Sequence, residues 1–426
     1  MTMSPYSIQA GAIQVVATGA NKTVFVGSAN GGVWRTADGT ATAPAWTPVT
    51  DNQPVQCSSI AALTVSGADS QTVYAGCGGS TSSEMGADWN VLNTGEWGGV
   101  MMSSDGGDSW KMTGFPQNFY VTSIVASGGS LLVSARSHVF DKDKGGVWIS
   151  TDGPAFATWT QVVTSPVFDL LDAGNGVILA AVPYNSTTTV LASSDSGKSW
   201  GDWSAGLQWP FRQVPFYPTL AISTAEDPPM VFVGALTIDT QDSTKSGSGV
   251  FRRPLTGLLL GAGNNDTGGG GGGGEWIAVG NMGGTGPTDL DGDAMPKDRM
   301  ALLPHPTEAA TLFVAGNGDD IAYRVNWQTG TWADMTGADT ADNSAPHCDC
   351  RNFHWSADGK ELYLVSDGGI FGRKGAESVG GSWRSMNGDI GVMEVCCVRI
   401  FRMFRRAKGE EGREKRCRQR AFPTVD

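Results

Sequence analysis

Ser103-Ser-Asp-Gly-Gly-Asp-Ser-Trp110 and Ser193-Ser-Asp-Ser-Gly-Lys-Ser-Trp200 repeat one spacing, Ser-x-Asp-x-Gly-x-x-Trp. It is the spacing of a locked hairpin. An Asp carboxylate can accept backbone N–H groups of the turn that follows it. The Gly two places on can take a positive φ without a Cβ penalty. The Trp then begins a strand with a large apolar ring that has to be buried. Two relaxed copies, Thr36-Ala-Asp38 before Trp46 and Ser150-Thr-Asp152 before Trp159, keep the hydroxyl and the carboxylate with a longer turn.

Working outward, a β-rich run precedes each unit. It starts at Thr23, Thr72, Leu131, Val177, Met230, Thr311 and Leu362, in forms such as Thr23-Val-Phe-Val-Gly and Met230-Val-Phe-Val-Gly. The steps are 49, 59, 46, 53, 81 and 51 residues. One four-stranded propeller blade with its loops takes about 40–50 residues. Each step therefore holds one blade, with insertions in the second and fifth. A Gly-Gly-Val-Trp-like strand follows each run, and Trp46, Trp110, Trp159, Trp200, Trp276, Trp332 and Trp383 close the units. The expectation is an all-β propeller of about seven four-stranded blades over residues 1–395, incomplete at one or both ends because the pattern stops near Glu394.

These boxes resemble the Asp-box (BNR) repeat of the sialidase, xyloglucanase and sortilin-like superfamily, over about residues 15–394. Residues 345–394 look most like uncharacterised bacterial Asp-box propellers. The resemblance implies that the boxes sit away from any binding face. Asp38, Asp105, Asp152 and Asp195, with Trp110 and Trp200, are then structural. The Arg-Ile-Pro motif of sialidases does not occur. Xyloglucanase-like enzymes need two propellers, and this chain has one at most.

Composition agrees with many short strands and tight turns. The 426 residues include 60 Gly and 15 Trp. The net charge of −13 is uneven: residues 396–426 hold ten Lys/Arg and four Asp/Glu, leaving 19 basic and 38 acidic groups in the body, a local charge of −19. Such a body does not suit nucleic acid or an anionic membrane. No run of about 18 apolar residues occurs to span a bilayer. The segment 396–426 lacks the repeat and reads as a disordered or aberrant basic tail. Met1–Gln14 has neither the basic start nor the apolar core of a signal peptide, although the family suggests an extracellular or cell-surface site. Of seven Cys, Cys57 and Cys77 flank a strand-like stretch and could pair, but free, buried thiols are expected in the body.

Function has to lie in what departs from the repeat. In Pro346-His-Cys-Asp-Cys-Arg351, strand alternation would put His347, Asp349 and Arg351 on one face and Cys348 and Cys350 on the other. That row could hold a polar ligand or form a closed ion-pair ladder. His305 and Asp367 lie in neighbouring units and could approach it. Asp349 and Asp367 are the first candidates for an acid/base pair, and His347, Arg351 and His305 for ligand contacts. Asp289, Asp291 and Asp293 could converge on Ca2+, although Gly292 falls fourth in that run where a helix–loop–helix calcium loop has its Gly sixth. Otherwise no cofactor is expected. The seven glycines 268–274 are followed by Glu275-Trp276, not by the Lys-Ser/Thr of a phosphate loop. The expected function is a monomeric, non-catalytic binding propeller for a glycan or protein ligand. The alternative is a glycoside hydrolase with paired carboxylates.

Overall fold

The computed structural model describes residues 13–392, apart from 30, 56, 67–70, 79–97, 138–144, 185–186, 210–212, 240, 242–245, 257–273, 280–299, 317–321, 348–349, 377 and 379. The basic segment 396–426 lies outside the described residues.

Seven antiparallel sheets of four strands follow one another along the chain. Blade A holds β1 (Ile13–Thr18), β2 (Val24–Ser28), β3 (Val33–Thr36) and β4 (Thr47–Pro48). Blade B holds β5 (Ile60–Ser66) to β8 (Lys111–Met112), and blade C holds β9 (Phe119–Ser127), β10 (Ser130–Ser137), β11 (Gly145–Ser150) and β12 (Thr160–Val163). Blades D, E and F run from β13 (Asp169–Gly174) to β16 (Gly201–Asp202), from β17 (Gln213–Ser223) to β20 (Ile277–Ala278), and from β21 (Ala301–Pro304) to β24 (Thr331–Asp334). Blade G holds β25 (Cys350–Trp355), β26 (Glu361–Ser366), β27 (Gly369–Lys374) and β28 (Ser382–Ser385). The seven β-rich runs of the sequence are the second strands. Their central residues are buried because each strand is sandwiched between neighbouring blades.

First strands touch first strands around the ring, and β1 returns to β25. They are therefore the inner strands. Like ends meet: Thr18 Oγ1 at the end of β1 donates to the Trp355 carbonyl at the end of β25 (3.2 Å), and Trp355 Nε1 donates to Pro304 O at the end of β21 (2.9 Å). All inner strands thus run the same way. The turns after first and third strands share one face, called the box face here. The turns after second strands and the links between blades share the other, the entry face.

Every blade is built from consecutive strands, and the ring closes by packing blade A on blade G. Ile13, Val16, Val24 and Trp46 of blade A form one core with Tyr363, Val365, Ile370 and Met386 of blade G. Trp46 Nε1 donates to Met386 O (2.9 Å), and the Trp46 amide donates to Asp389 Oδ1 (2.8 Å). Arg384, paired with Glu361, also donates to Ala41 O (2.7 Å). The pattern fades near Glu394 because blade G is already complete at β28.

The closing Trp has two arrangements. In the box turns its Nε1 donates locally: Trp110 to Gly107 O (3.1 Å), Trp159 to Phe156 O (2.9 Å) and Trp200 to Gly197 O (2.9 Å). Where the box is missing it reaches the previous blade. Trp276 donates to Trp203 O (2.8 Å) and Trp383 to Met335 O (2.7 Å). A buried arginine of the same blade donates to the same carbonyl, Arg253 at 2.7 Å and Arg373 at 3.0 Å.

Cys57 and Cys77 form a disulfide, which corrects the expectation of free thiols for this pair. Their Cα atoms are 5.6 Å apart, because the link from blade A and the end of β6 (Thr72–Cys77) meet on the entry face. Cys350 is buried, and its thiol donates to the His347 carbonyl at 3.8 Å. Cross-linking positions 20 apart restricts the unfolded chain by about 3 kcal/mol on the loop-entropy account. Reduction is expected to lower the thermal midpoint seen by calorimetry. Cys57→Ala/Cys77→Ala should lower it equally and remove the response to reductant. An unchanged midpoint on reduction contradicts the pairing.

Candidate functional site

The boxes account for their own residues first. Ser103 Oγ donates to Asp105 Oδ1 (2.7 Å) and accepts the Gly107 amide (2.8 Å). Asp105 Oδ1 accepts the Ser109 amide (2.8 Å), and its Oδ2 accepts Ser109 Oγ (2.5 Å). Asp195 does the same with Ser193, Ser199 and the Lys198 amide. Asp152 holds Thr158 and Asp38 holds Thr40. The Ser109 hydroxyl and amide hold the Asp105 carboxyl down at about 2. A lowered carboxyl stabilises the fold while it is charged, so this contribution is present above about pH 4 and is lost as pH falls towards 2. These carboxylates are engaged inside turns of the box face.

Arg351 and Asp367 meet on the entry face. Asp367 directly follows β26, in the turn to β27. Arg351 is the second residue of β25. The pairing of β25 with β26 shifts between Cys350 and Asn352, so Arg351 is the extra residue of a bulge. Bulges re-aim side chains, and here simple alternation does not hold: Cys350 and Arg351 are both buried. Arg351 Nε donates to Asp367 Oδ1 (2.8 Å), and Nη2 donates to the same oxygen. Their exposures are 5% and 7%, so the pair is withdrawn from bulk water.

His347 lies beside this pair. A Cβ at Gly368 would come within 2.3 Å of His347 Cβ, so only Gly fits beneath the imidazole. The neighbouring Gly369 has φ +110 and is crowded by Asn387, whose amide donates to Gly368 O (2.8 Å). Two glycines thus let a ring and an amide close over the turn that carries Asp367. Asp349 lies outside the described residues.

His305 does not join them. It follows β21 on the box face, where its Nδ1 accepts the Glu308 amide (2.9 Å) and its ring stacks on Trp355 at 5.1 Å between centroids. Trp355 and Arg351 lie at opposite ends of β25, about 13 Å apart at the strand rise. Asp289, Asp291 and Asp293 lie outside the described residues. Among the described residues no three His, Cys, Asp or Glu side chains are grouped to hold a metal.

The entry face carries two further features that the sequence did not single out. A cleft of about 410 Å3 between blades A and B is lined by Gln53, Pro54, Val55, Met112 and Gln117. Across the ring, Arg136 of blade C meets Phe168 of blade D and Tyr217 of blade E. A positional signal existed for the second. Arg136 and Asp367 both directly follow the five-residue run of their unit.

No family model matches the chain, and no curated protein matches it in sequence. The fold is similar to solved structures. An ancestral GH74 enzyme superposes with a TM-score of 0.60 at 14% identity, covering 90% of this chain and 47% of that one. The GH74 enzyme of Niastella koreensis gives 0.58 at 12%, covering 89% and 54%. YCF48 bound to a D1 peptide gives 0.52 at 11%, covering 88% and 96%. The chain therefore spans about half the length of the two GH74 enzymes. At these identities the likeness is one of fold.

Breaking a buried ion pair strands the remaining charge, at a cost of about 3–5 kcal/mol. Asp367→Asn and Arg351→Met are each expected to cost that much in chemical denaturation. The double substitution Arg351→Met/Asp367→Leu should cost less than the sum of the singles. Additive losses would show that the two side chains do not act as a pair.

Proposed function

We propose that this chain is a ligand-binding propeller of the Asp-box type, which presents its entry face to a glycan or a protein segment and does not cleave it. One observation carries this reading: Asp367, the described carboxylate favoured as an acid or base, is buried and held by Arg351. A glycosidase needs two carboxyl groups about 5–9.5 Å apart with access to the sugar. A carboxylate engaged by a buried guanidinium is a poor proton donor and a poor nucleophile. The four box carboxylates are equally engaged, on the other face.

Two further points support it. A neighbour covered almost end to end, YCF48, is bound to a D1 peptide. The described residues form one propeller, which matches about half the length of each GH74 enzyme. The Cys57–Cys77 disulfide fits an oxidising compartment, in line with an extracellular or cell-surface location. The hydrolase reading rests on the likeness of fold to the GH74 enzymes, and Asp349 is its remaining candidate.

Purified protein incubated with β-glucan, xyloglucan and sialosides is expected to release no reducing ends or sialic acid above background. It should be retained by at least one immobilised glycan or peptide ligand. Hydrolysis that disappears in a folded Asp349→Asn or Asp367→Asn variant overturns the binding-only reading.

A further inference from the structure

Arg136, Phe168 and Tyr217 come from three blades. Arg136 lies at the entry end of β10, Phe168 just before β13, and Tyr217 within β17. The Arg136 guanidinium carbon lies 5.0 Å from the Phe168 centroid and 5.9 Å from that of Tyr217. The two rings meet edge to face, with centroids 4.9 Å apart. The guanidinium thus stands in an aromatic corner, half-buried, on the same face as Asp367.

Its donors distinguish it. Arg35, Arg253, Arg324, Arg351, Arg373 and Arg384 each hydrogen-bond a carboxylate or a carbonyl. Arg136 has no such acceptor among the described residues. The carboxylate next to the cluster, Asp169, is engaged elsewhere. Its Oδ2 accepts Thr219 Oγ1 (3.0 Å) and the Leu220 amide (2.9 Å). Arg252 also lacks an acceptor, but it stacks on Trp327 with a buried Nε, inside a blade interface.

Tyr217 supplies an independent observation. It has φ +43, a left-handed conformation that a bulky residue rarely adopts. The pairing of β17 with β18 (Met230–Asp239) shifts between Phe216 and Thr219, so Tyr217 lies in a bulge of its inner strand, as Arg351 does in blade G. Strain of this kind persists where it serves a site. Here it turns a phenol ring towards an arginine that has no acid partner among the described residues.

We propose that Arg136, Phe168 and Tyr217 bind the carboxylate of an acidic saccharide, with a single uronate ring as the recognised unit. This rests on the binding reading above and names its ligand class. The planar guanidinium fork matches a carboxylate bidentately. The two aromatic rings flank the guanidinium and offer apolar surface to a sugar ring. One isolated carboxylate suits a lone cation on a body of charge −19, which repels polyanions such as nucleic acid or heavily sulfated glycans.

The test is isothermal titration calorimetry of the full chain with a glucuronate-bearing disaccharide and its neutral glucose counterpart. The acidic sugar is expected to bind roughly tenfold or more tightly, the scale of a charge-assisted hydrogen-bonded pair. Arg136→Gln should abolish that preference, and Arg136→Lys should restore only part of it. Tyr217→Asn, which tolerates positive φ, should weaken binding without lowering the thermal midpoint. Equal affinity for the two sugars, or selectivity unchanged in Arg136→Gln, overturns the assignment. So does a Tyr217→Asn variant that binds normally but melts earlier, or a peptide carboxylate that binds more tightly than the acidic sugar. Turnover with selective binding would sink the non-catalytic reading and leave this site standing. Binding of other ligands with no acidic preference would do the reverse.

Discussion

Ring closure is the constraint on which the molecule depends. A four-stranded blade has two apolar faces and cannot bury either alone, so each needs a neighbour on both sides. Seven blades satisfy this only if the last covers the first. No strand is exchanged to achieve it. Closure rests on side chains: the core joining Trp46 to Met386, the Trp46 indole on a blade G carbonyl, and Arg384 reaching the turn of blade A. Trp46 belongs to one of the two units whose box has relaxed, and its indole serves the seam instead of the local turn.

The same division of labour recurs around the ring. Box turns satisfy their Trp within the hairpin. Blades E and G have no box carboxylate, and they send both a Trp and a buried Arg to a carbonyl of the preceding blade. In these two blades, loss of the motif is matched by interblade hydrogen bonds.

The fold was legible because its signals are local. A Ser-x-Asp turn, a buried second strand and a closing Trp each fit within a dozen residues and repeat at blade spacing. The candidate site was legible only in part. Asp367 and Arg351 were both singled out, but the bulge at Cys350–Asn352 that aims Arg351 has no sequence signature of its own. His305 is near Asp367 in the chain of repeats yet lies on the other face, since it ends an inner strand and Asp367 follows a second strand. The Cys57–Cys77 pair was within reach on spacing, and expectation about compartment weighed against it. Phe168 and Tyr217 escaped notice because they approach Arg136 from other blades, and the positive φ of Tyr217 is carried by no Gly or Asn.

The central claim is that ligands meet the entry face and that the boxes only hold hairpins. Amide hydrogen exchange with and without the glucuronate-bearing disaccharide maps this directly. The account predicts slower exchange where Phe168 joins β13, around Thr219 and in the turn after Ser366, with no change in Ser103–Trp110 or Ser193–Trp200. Protection confined to those box turns would contradict it.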